Sequence, residues 1–344
     1  MNTLEMYESL KASLAHVVPD VELRYKAEIA VEINRLKAEK NAVILGHNYM
    51  EPVLYHSVTD FKGDSLELSR RAAQTDKDII VFCGVKFMAE TAKILNPSKT
   101  VLIPEKNVGC SLAASITAED VRGLKARFPG MPVVTYINTY ADVKAESDIC
   151  CTSGNAVAVV ESLHTDTIIF LPDQYLAGNV AKETGKHIIF PSLSPTAGTD
   201  DLLDVQMIGW HGRCEVHEKF TVEDIQRIRQ QFPQVLILAH PECSPEVVAA
   251  SDFSGSTSAM VKYVARTNAP QYLLLTECSM GDNIAASNPE KDMLRLCSVR
   301  CPHMNMITME NTLAALVNNQ YEVTIPEDIR LRALSAVERM LAIG

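Results

Sequence analysis

Thr117-Ala118-Glu119-Asp120 and Thr221-Val222-Glu223-Asp224 lie 104 residues apart and open two segments of one design. Each begins a helical pattern that closes at a Phe-Pro step, Phe128-Pro129 and Phe232-Pro233. Each continues into an apolar run, at 133–137 and 235–239. A small-residue turn then precedes a second helical pattern: Thr152-Ser153-Gly154-Asn155 in one, Ser254-Gly255-Ser256-Thr257 in the other. A more diverged copy runs from Ala27 through Leu36-Lys37-Ala38, an apolar run at 42–46, and Gly63-Asp64-Ser65. One isolated cysteine follows each copy: Cys110, Cys214 and Cys301. A pseudo-threefold protein with one thiol per third places three thiolates on a shared axis, which suits a metal site with one ligand position left open.

Other offsets agree. Asn179-Val180-Ala181 and Asn283-Ile284-Ala285 are again 104 residues apart, and Asn138 and His240 are 102 apart. In the diverged copy, Ala89-Glu90-Thr91-Ala92-Lys93 precedes Gly178-Asn179-Val180-Ala181-Lys182 by 89 residues. Such spacing marks internal repetition. Apolar runs at 43–45, 79–82, 101–103, 133–136, 167–171, 187–190, 235–238 and 272–275 have the length of strands buried on both faces of a parallel sheet. Amphipathic patterns between them, at 65–73, 119–128, 157–163, 222–232 and 259–265, predict helices. The alternation predicts an α/β fold with helices on both sides of each sheet. The expected units are 22–112, 113–216 and 217–304, followed by a helical packing segment at 305–344. In that tail Ile325-Pro326-Glu327-Asp328 starts a helix, with Leu331, Leu334, Val337, Met340 and Leu341 as its apolar stripe.

The chain has 344 residues, 47% hydrophobic and 22% charged, the balance of a globular protein with a large core. A net charge of −11 argues against nucleic-acid binding, which needs cationic side chains against phosphates. It leaves small anionic substrates open, because local donors override the global field. The N-terminal residues carry Glu5 and Glu8 instead of a basic start with an apolar run, and no stretch approaches the ~20 apolar residues of a membrane span. The expectation is a cytoplasmic protein without membrane association. Nine scattered cysteines do not form a disulfide framework. Cys83 reads as a core residue, and Cys150 and Cys151 precede a helix.

In parallel α/β sheets, ligands collect beyond the carboxyl ends of the strands. The residues there are His47-Asn48-Tyr49, Asn138-Thr139 with Tyr136 just before, and His240-Pro241-Glu242. The turns Gly63-Asp64-Ser65, Ser153-Gly154-Asn155 and Gly255-Ser256-Thr257-Ser258 cap helices and present N–H groups to anions. Cys110, Cys214 and Cys301 lie in no Cys-x-x-Cys pair, so a zinc finger or ribbon does not fit. Three distant thiolates favour a cluster or a soft metal with an exchangeable fourth position.

Together these segments resemble the quinolinate synthase family over nearly the whole chain. The carrying residues are Gly46-His47-Asn48-Tyr49, Gly63-Asp64-Ser65-Leu66-Glu67-Leu68-Ser69-Arg70, Phe87-Met88-Ala89-Glu90-Thr91-Ala92-Lys93-Ile94-Leu95, Tyr136-Ile137-Asn138-Thr139, Cys151-Thr152-Ser153, Cys214-Glu215-Val216-His217-Glu218, His240-Pro241-Glu242-Cys243 and Gly255-Ser256-Thr257-Ser258. The resemblance implies three homologous three-layer αβα domains in a triangle, in pseudo-threefold symmetry around a central active site with a [4Fe–4S] cluster. It implies condensation of iminoaspartate with dihydroxyacetone phosphate to quinolinate, with release of phosphate and water, in de novo NAD biosynthesis. It also implies a functional link to an enzyme that makes iminoaspartate. The family's cluster ligands fall on Cys110, Cys214 and Cys301. Its active-site positions fall on His47, Tyr49, Ser65, Met88, Tyr136, Asn138, Ser153, His240, Glu242, Ser256 and Thr257.

On this reading the cluster is a Lewis acid for dehydration. Glu242 abstracts protons beside His240, and Tyr49 and Tyr136 relay or orient. His47, Ser65, Met88, Asn138, Ser153, Ser256 and Thr257 bind substrate. Two other readings use the same scaffold, an iron–sulfur sensor and a zinc-dependent lyase. Two features depart from the family pattern: Cys297 and Cys301 stand where some relatives carry a longer Cys-x-x-Cys-x-x-Cys run, and Met50 follows His47-Asn48-Tyr49 where a polar residue is usual.

Overall fold

The apolar runs become parallel strands because each is too short to close a core alone and must be covered on both faces by the helices that connect them. The computed structural model describes residues 1–191, 204–294 and 299–343; Cys297 lies outside them. Two N-terminal helices come first, α1 (Thr3–Leu14) and α2 (Asp20–Glu39). The first unit alternates β1 (Ala42–His47), α3 (Pro52–Ser57), β2 (Phe61–Gly63), α4 (Ser65–Gln74), β3 (Ile79–Cys83), α5 (Lys86–Leu95) and β4 (Thr100–Leu102). The second has α6 (Ala118–Arg127), β5 (Val133–Tyr136), α7 (Ala141–Ala145), β6 (Ile149–Cys151), α8 (Ala156–Ser162), β7 (Ile168–Leu171), α9 (Gln174–Thr184), β8 (Ile188–Ile189) and β9 (Met207–Ile208). The third has α10 (Val222–Gln231), β10 (Val235–Ala239), α11 (Pro245–Ala250), β11 (Phe253–Ser254), α12 (Thr257–Arg266), β12 (Gln271–Leu275), α13 (Cys278–Ser287) and β13 (Met293–Leu294). Helices α14 (Met309–Asn318) and α15 (Glu327–Leu341) follow.

Among the described residues the strands form three parallel sheets, in the orders β2-β1-β3-β4, β6-β5-β7-β9-β8 and β11-β10-β12-β13. In each, the unit's first strand lies between its second and third. The repeat read from the sequence is therefore a repeat of topology. Its local chemistry repeats as well. Thr117 and Thr221 each accept from the N–H of the Asp three residues on, and that Asp side chain accepts from the Thr N–H. These are matched capping boxes, and both helices stop at their Phe-Pro step.

The largest core joins the first unit, part of the second, α1, α2 and the two C-terminal helices, while the third unit has cores of its own. Helix α15 packs on α7, β6 and α5 and so binds the first two units together. Its buried stripe is Arg330, Ala333, Ala336, Val337 and Met340. Leu331 is 54% exposed, against the expected stripe. The aliphatic stem of Arg330 takes the inner face because its guanidinium reaches the Ile94 carbonyl at 3.2 Å and pairs with Glu327. Cys150 and Cys151 precede α8, as expected, and lie fully buried in β6. No helix among the described residues is long and apolar enough to cross a membrane.

Candidate active site

Each of the three cysteines opens the same turn. The carbonyls of Cys110, Cys214 and Cys301 accept from the N–H four residues on, those of Ala114, Glu218 and Asn305. A short 3-10 helix follows in each case, at Ala113–Ser115, His217–Lys219 and Met304–Met306. The backbone N–H groups two and three residues ahead favour the thiolate form of each sulfur: those of Leu112 and Ala113, Val216 and His217, His303 and Met304. Burial pushes the thiols up, Cys110 to about 12, Cys301 to about 11 and Cys214 well above the ordinary thiol value, and the N–H donors oppose it. All three thiols line one cavity, and the eight described cysteines are free of disulfides. Three sulfurs in one cavity, each with backbone N–H groups that favour its thiolate, form a donor set that fits a soft metal or an iron–sulfur cluster with three protein ligands.

Facing the thiols is a buried polar cluster. Glu242 Oε1 accepts from the Tyr136 hydroxyl at 2.5 Å and from Asn138 Nδ2 at 3.0 Å. Glu242 Oε2 lies 2.7 Å from His217 Nδ1, which is also 3.2 Å from the Cys214 sulfur. His217 Nε2 lies 2.9 Å from Thr276 Oγ1 and 3.4 Å from the Tyr49 hydroxyl, and Tyr49 and Thr276 are 2.5 Å apart. His240 stacks on His217 with centroids 4.6 Å apart, and its Nε2 lies 3.3 Å from Ser153 Oγ. Burial alone would raise the Glu242 carboxyl. His217, His240 and the Tyr136 hydroxyl outweigh it and hold the group well below the usual carboxylate range. Burial lowers His47 to about 4, and burial and the neighbouring His217 lower His240 to about 3, so both are neutral imidazoles at pH 7. Burial lifts Tyr49 and Tyr136 well above 10, so both stay protonated and can donate.

His47, Tyr49, Ser65, Met88, Tyr136, Asn138, Ser153, His240, Glu242 and Thr257 line the same cavity as Cys110, Cys214 and Cys301. Ser256 does not. It lines a neighbouring groove that also includes Ser153, and its hydroxyl donates to Asp64 Oδ2 at 2.8 Å. Asn48 Nδ2 donates to Thr257 Oγ1 at 2.9 Å and ties the first unit to α12. Ser153 is not a helix cap: the N-cap of α8 is Asn155, whose Oδ1 turns back to accept from the Thr152 N–H. Sequence reasoning missed His217 and Thr276 as site residues. His217 had a signal, its place three residues after Cys214; Thr276 had one, the first polar residue past β12.

The molecule is therefore a three-unit α/β enzyme whose cavity brings three thiols together with buried carboxylate, imidazole and phenol side chains. Residues 31–342 match the family described as "Quinolinate synthetase A protein". The chain is 54% identical over 327 residues to quinolinate synthase 2 of Mesorhizobium japonicum, covering 95% of each chain. It is 51% identical over 335 residues to quinolinate synthase of Agrobacterium fabrum, covering 97% of this chain and 91% of the relative. Against quinolinate synthase of Xylella fastidiosa it is 53% identical over 311 residues, covering 90% and 86%. The chain belongs to the quinolinate synthase family.

Proposed function

We propose that the chain condenses iminoaspartate with dihydroxyacetone phosphate to quinolinate, releasing phosphate and water, as a step of de novo NAD biosynthesis. Cys110, Cys214 and Cys301 would hold a [4Fe–4S] cluster, which when bound supplies an open iron that acts as a Lewis acid on a leaving hydroxyl. The observation that carries the reading is the shared cavity, in which three thiols in matching turns face the Glu242–His217–Tyr136 cluster.

The side chains suit such substrates. Asn138 donates to Glu242, so its orientation is assigned, and its buried Oδ1 has no partner. An orphaned buried acceptor suits a substrate N–H or O–H, and an imine offers one. Ser65, Ser153 and Thr257 supply hydroxyls for acidic groups, and Met88 supplies an apolar wall. The Asp64 carboxylate on the Ser256 hydroxyl illustrates the preference for anions at the start of α12.

The proton-transfer roles follow from electrostatics. A carboxylate held as low as Glu242 is a weak base. It fits better as the group that fixes the proton on His217 Nδ1 and stabilises the imidazolium, in place of the base role expected from sequence. His217 Nε2 then takes or gives the proton, with Tyr49 and Thr276 relaying it.

The test is anaerobic purification, iron and sulfide determination, and an assay with both substrates. Quinolinate formation by a brown protein with about four irons supports the reading; a colourless, fully active protein overturns the cluster assignment. A second reading has one observation in its favour: ligand atoms of Cys214, His217 and Glu242 lie within 4.8 Å of one another, a set that suits zinc. Metal analysis separates the two. We further propose a functional link with an iminoaspartate-producing enzyme and a cytoplasmic location for the chain.

A further inference from the structure

The helices after the third strand of each unit, α5, α9 and α13, carry Glu90, Asn179 and Asn283. Their spacings are 89 residues (90 to 179) and 104 residues (179 to 283). The loops after the first strands carry Tyr49, Asn138 and Glu242 with the same spacings, 89 (49 to 138) and 104 (138 to 242). The two sets keep one register through the repeat.

Each helix residue bonds to a different unit, Asn179 and Asn283 to the loop after that unit's first strand and Glu90 to the start of α7. Asn283, in the third unit, donates from Nδ2 to the carbonyls of Asn48 at 3.1 Å and Met50 at 2.8 Å, one on each side of Tyr49 in the first. Asn179, in the second unit, donates to the carbonyls of Pro241 at 2.8 Å and Cys243 at 3.0 Å, one on each side of Glu242 in the third. All four partners are carbonyls, so nitrogen must be the donating atom. Glu90, in the first unit, has no N–H to give. Its Oε2 accepts from the Ala141 N–H at 2.9 Å in the second unit. There the fully buried Lys144, attracted by Glu90, does the donating, to the carbonyls of Ile137 at 2.9 Å and of Thr139, one on each side of Asn138. The second unit thus holds the loop of the third and the third the loop of the first, while the first is tied to the second at the start of α7.

We propose that Asn179 and Asn283, each acting across a unit boundary, and Lys144, acting within its own unit, are positioning residues, each fixing one working side chain through the two carbonyls that flank it. A loop past a strand end has carbonyls without ladder partners. One donor bridging residues i and i+2 fixes the backbone of the residue between them. A misplacement near 1 Å costs about a hundredfold in rate. The inference rests on the proposed roles of Tyr49, Asn138 and Glu242.

The test uses the full-length, metal-loaded protein and four variants: Asn179→Leu, Asn283→Leu, Lys144→Met and, as control, Asn96→Leu. Asn96 is a buried asparagine whose Nδ2 also bridges two carbonyls, those of Ala72 at 2.9 Å and Ala92 at 3.0 Å, but it does not line the cavity. The two clamp asparagines should lose about tenfold or more in kcat with KM within about threefold. Lys144→Met, which frees the Asn138 loop, should act mainly by raising KM. Asn179→Gln, which keeps the amide donors, should recover most of the rate. Asn96→Leu should lower Tm while kcat per metal-loaded molecule stays within about twofold. The clamps are refuted by kcat and KM values for Asn179→Leu and Asn283→Leu that match those of Asn96→Leu at equal metal content. If Asn283→Leu does not fold, half-buried Asn179 decides the matter. Amide exchange at residues 240–243 reads the clamp without substrate. It should rise about tenfold in Asn179→Leu, and an unchanged rate rejects the inference. A wild-type protein that makes no quinolinate would instead sink the functional reading, leaving the exchange result to judge the clamp.

Discussion

The Tyr136 hydroxyl donates to Glu242 Oε1 at 2.5 Å, from the end of a second-unit strand to a third-unit loop. This bond helps hold Glu242 ionised against complete burial. Tyr136→Phe removes the donor, so the Glu242 carboxyl should rise and the acid limb of kcat/KM should move to higher pH. A hydrogen bond to a charged group contributes about 1.5–3 kcal/mol, so the rate should fall roughly tenfold to a hundredfold. An unshifted acid limb would detach Glu242 from the profile.

His217→Gln tests the relay. It keeps a polar group near Glu242 but removes the imidazole that connects Glu242 to Thr276 and Tyr49. General acid–base catalysis contributes about 10²–10⁴-fold, so kcat should fall within that range while the protein still folds and holds metal. Near-normal turnover would return the base role to another group.

Cys301→Ser should lose most of its iron and its brown colour. The same change at Cys83, whose thiol lies 3.6 Å from Thr312 Oγ1 in the core, should leave the metal content intact. Equal iron in both variants would contradict the ligand assignment.

His56 gives a pH prediction away from the three cavity cysteines. Burial and Lys62 lower it from 6.5 to about 4. Below pH 6.5 the unfolded chain therefore binds a proton that the folded one refuses, and stability falls as the pH drops from 6.5 toward 4. A shift of this size corresponds to at most about 3 kcal/mol. His56→Leu should flatten part of the slope of Tm against pH in that window, and an identical slope would rule the residue out.

The matched capping boxes should be energetically matched. Thr117→Ala and Thr221→Ala should each cost about 1 kcal/mol, measured by denaturant unfolding. Very different losses would mean that the two helices are not equivalent.

The longer elements were legible because their patterns exceed a full period. Runs such as 79–82 and 235–238 became strands β3 and β10, and Thr-x-x-Asp marked the starts of α6 and α10. Strands β2, β6, β11 and β13, of two or three residues, are too short to show periodicity and exist because a neighbouring strand offers its edge. Asking which residues follow a strand found His47, Tyr49, Asn138, His240 and Glu242. It passed over His217, which sits in a turn after a cysteine. Ser256 looked equivalent to Thr257, but its oxygen is committed to Asp64, which only the packing of two units shows. Met50, odd by family pattern, is fully buried while its carbonyl accepts from Asn283.

A closed circuit of inter-unit hydrogen bonds has no terminus at which slack can collect. Each of α5, α9 and α13 is tied by such a bond to the unit next door. Two thirds of the molecule, however well folded, would retain one of the three junctions and leave one unit without the cross-boundary partner it has in the whole chain.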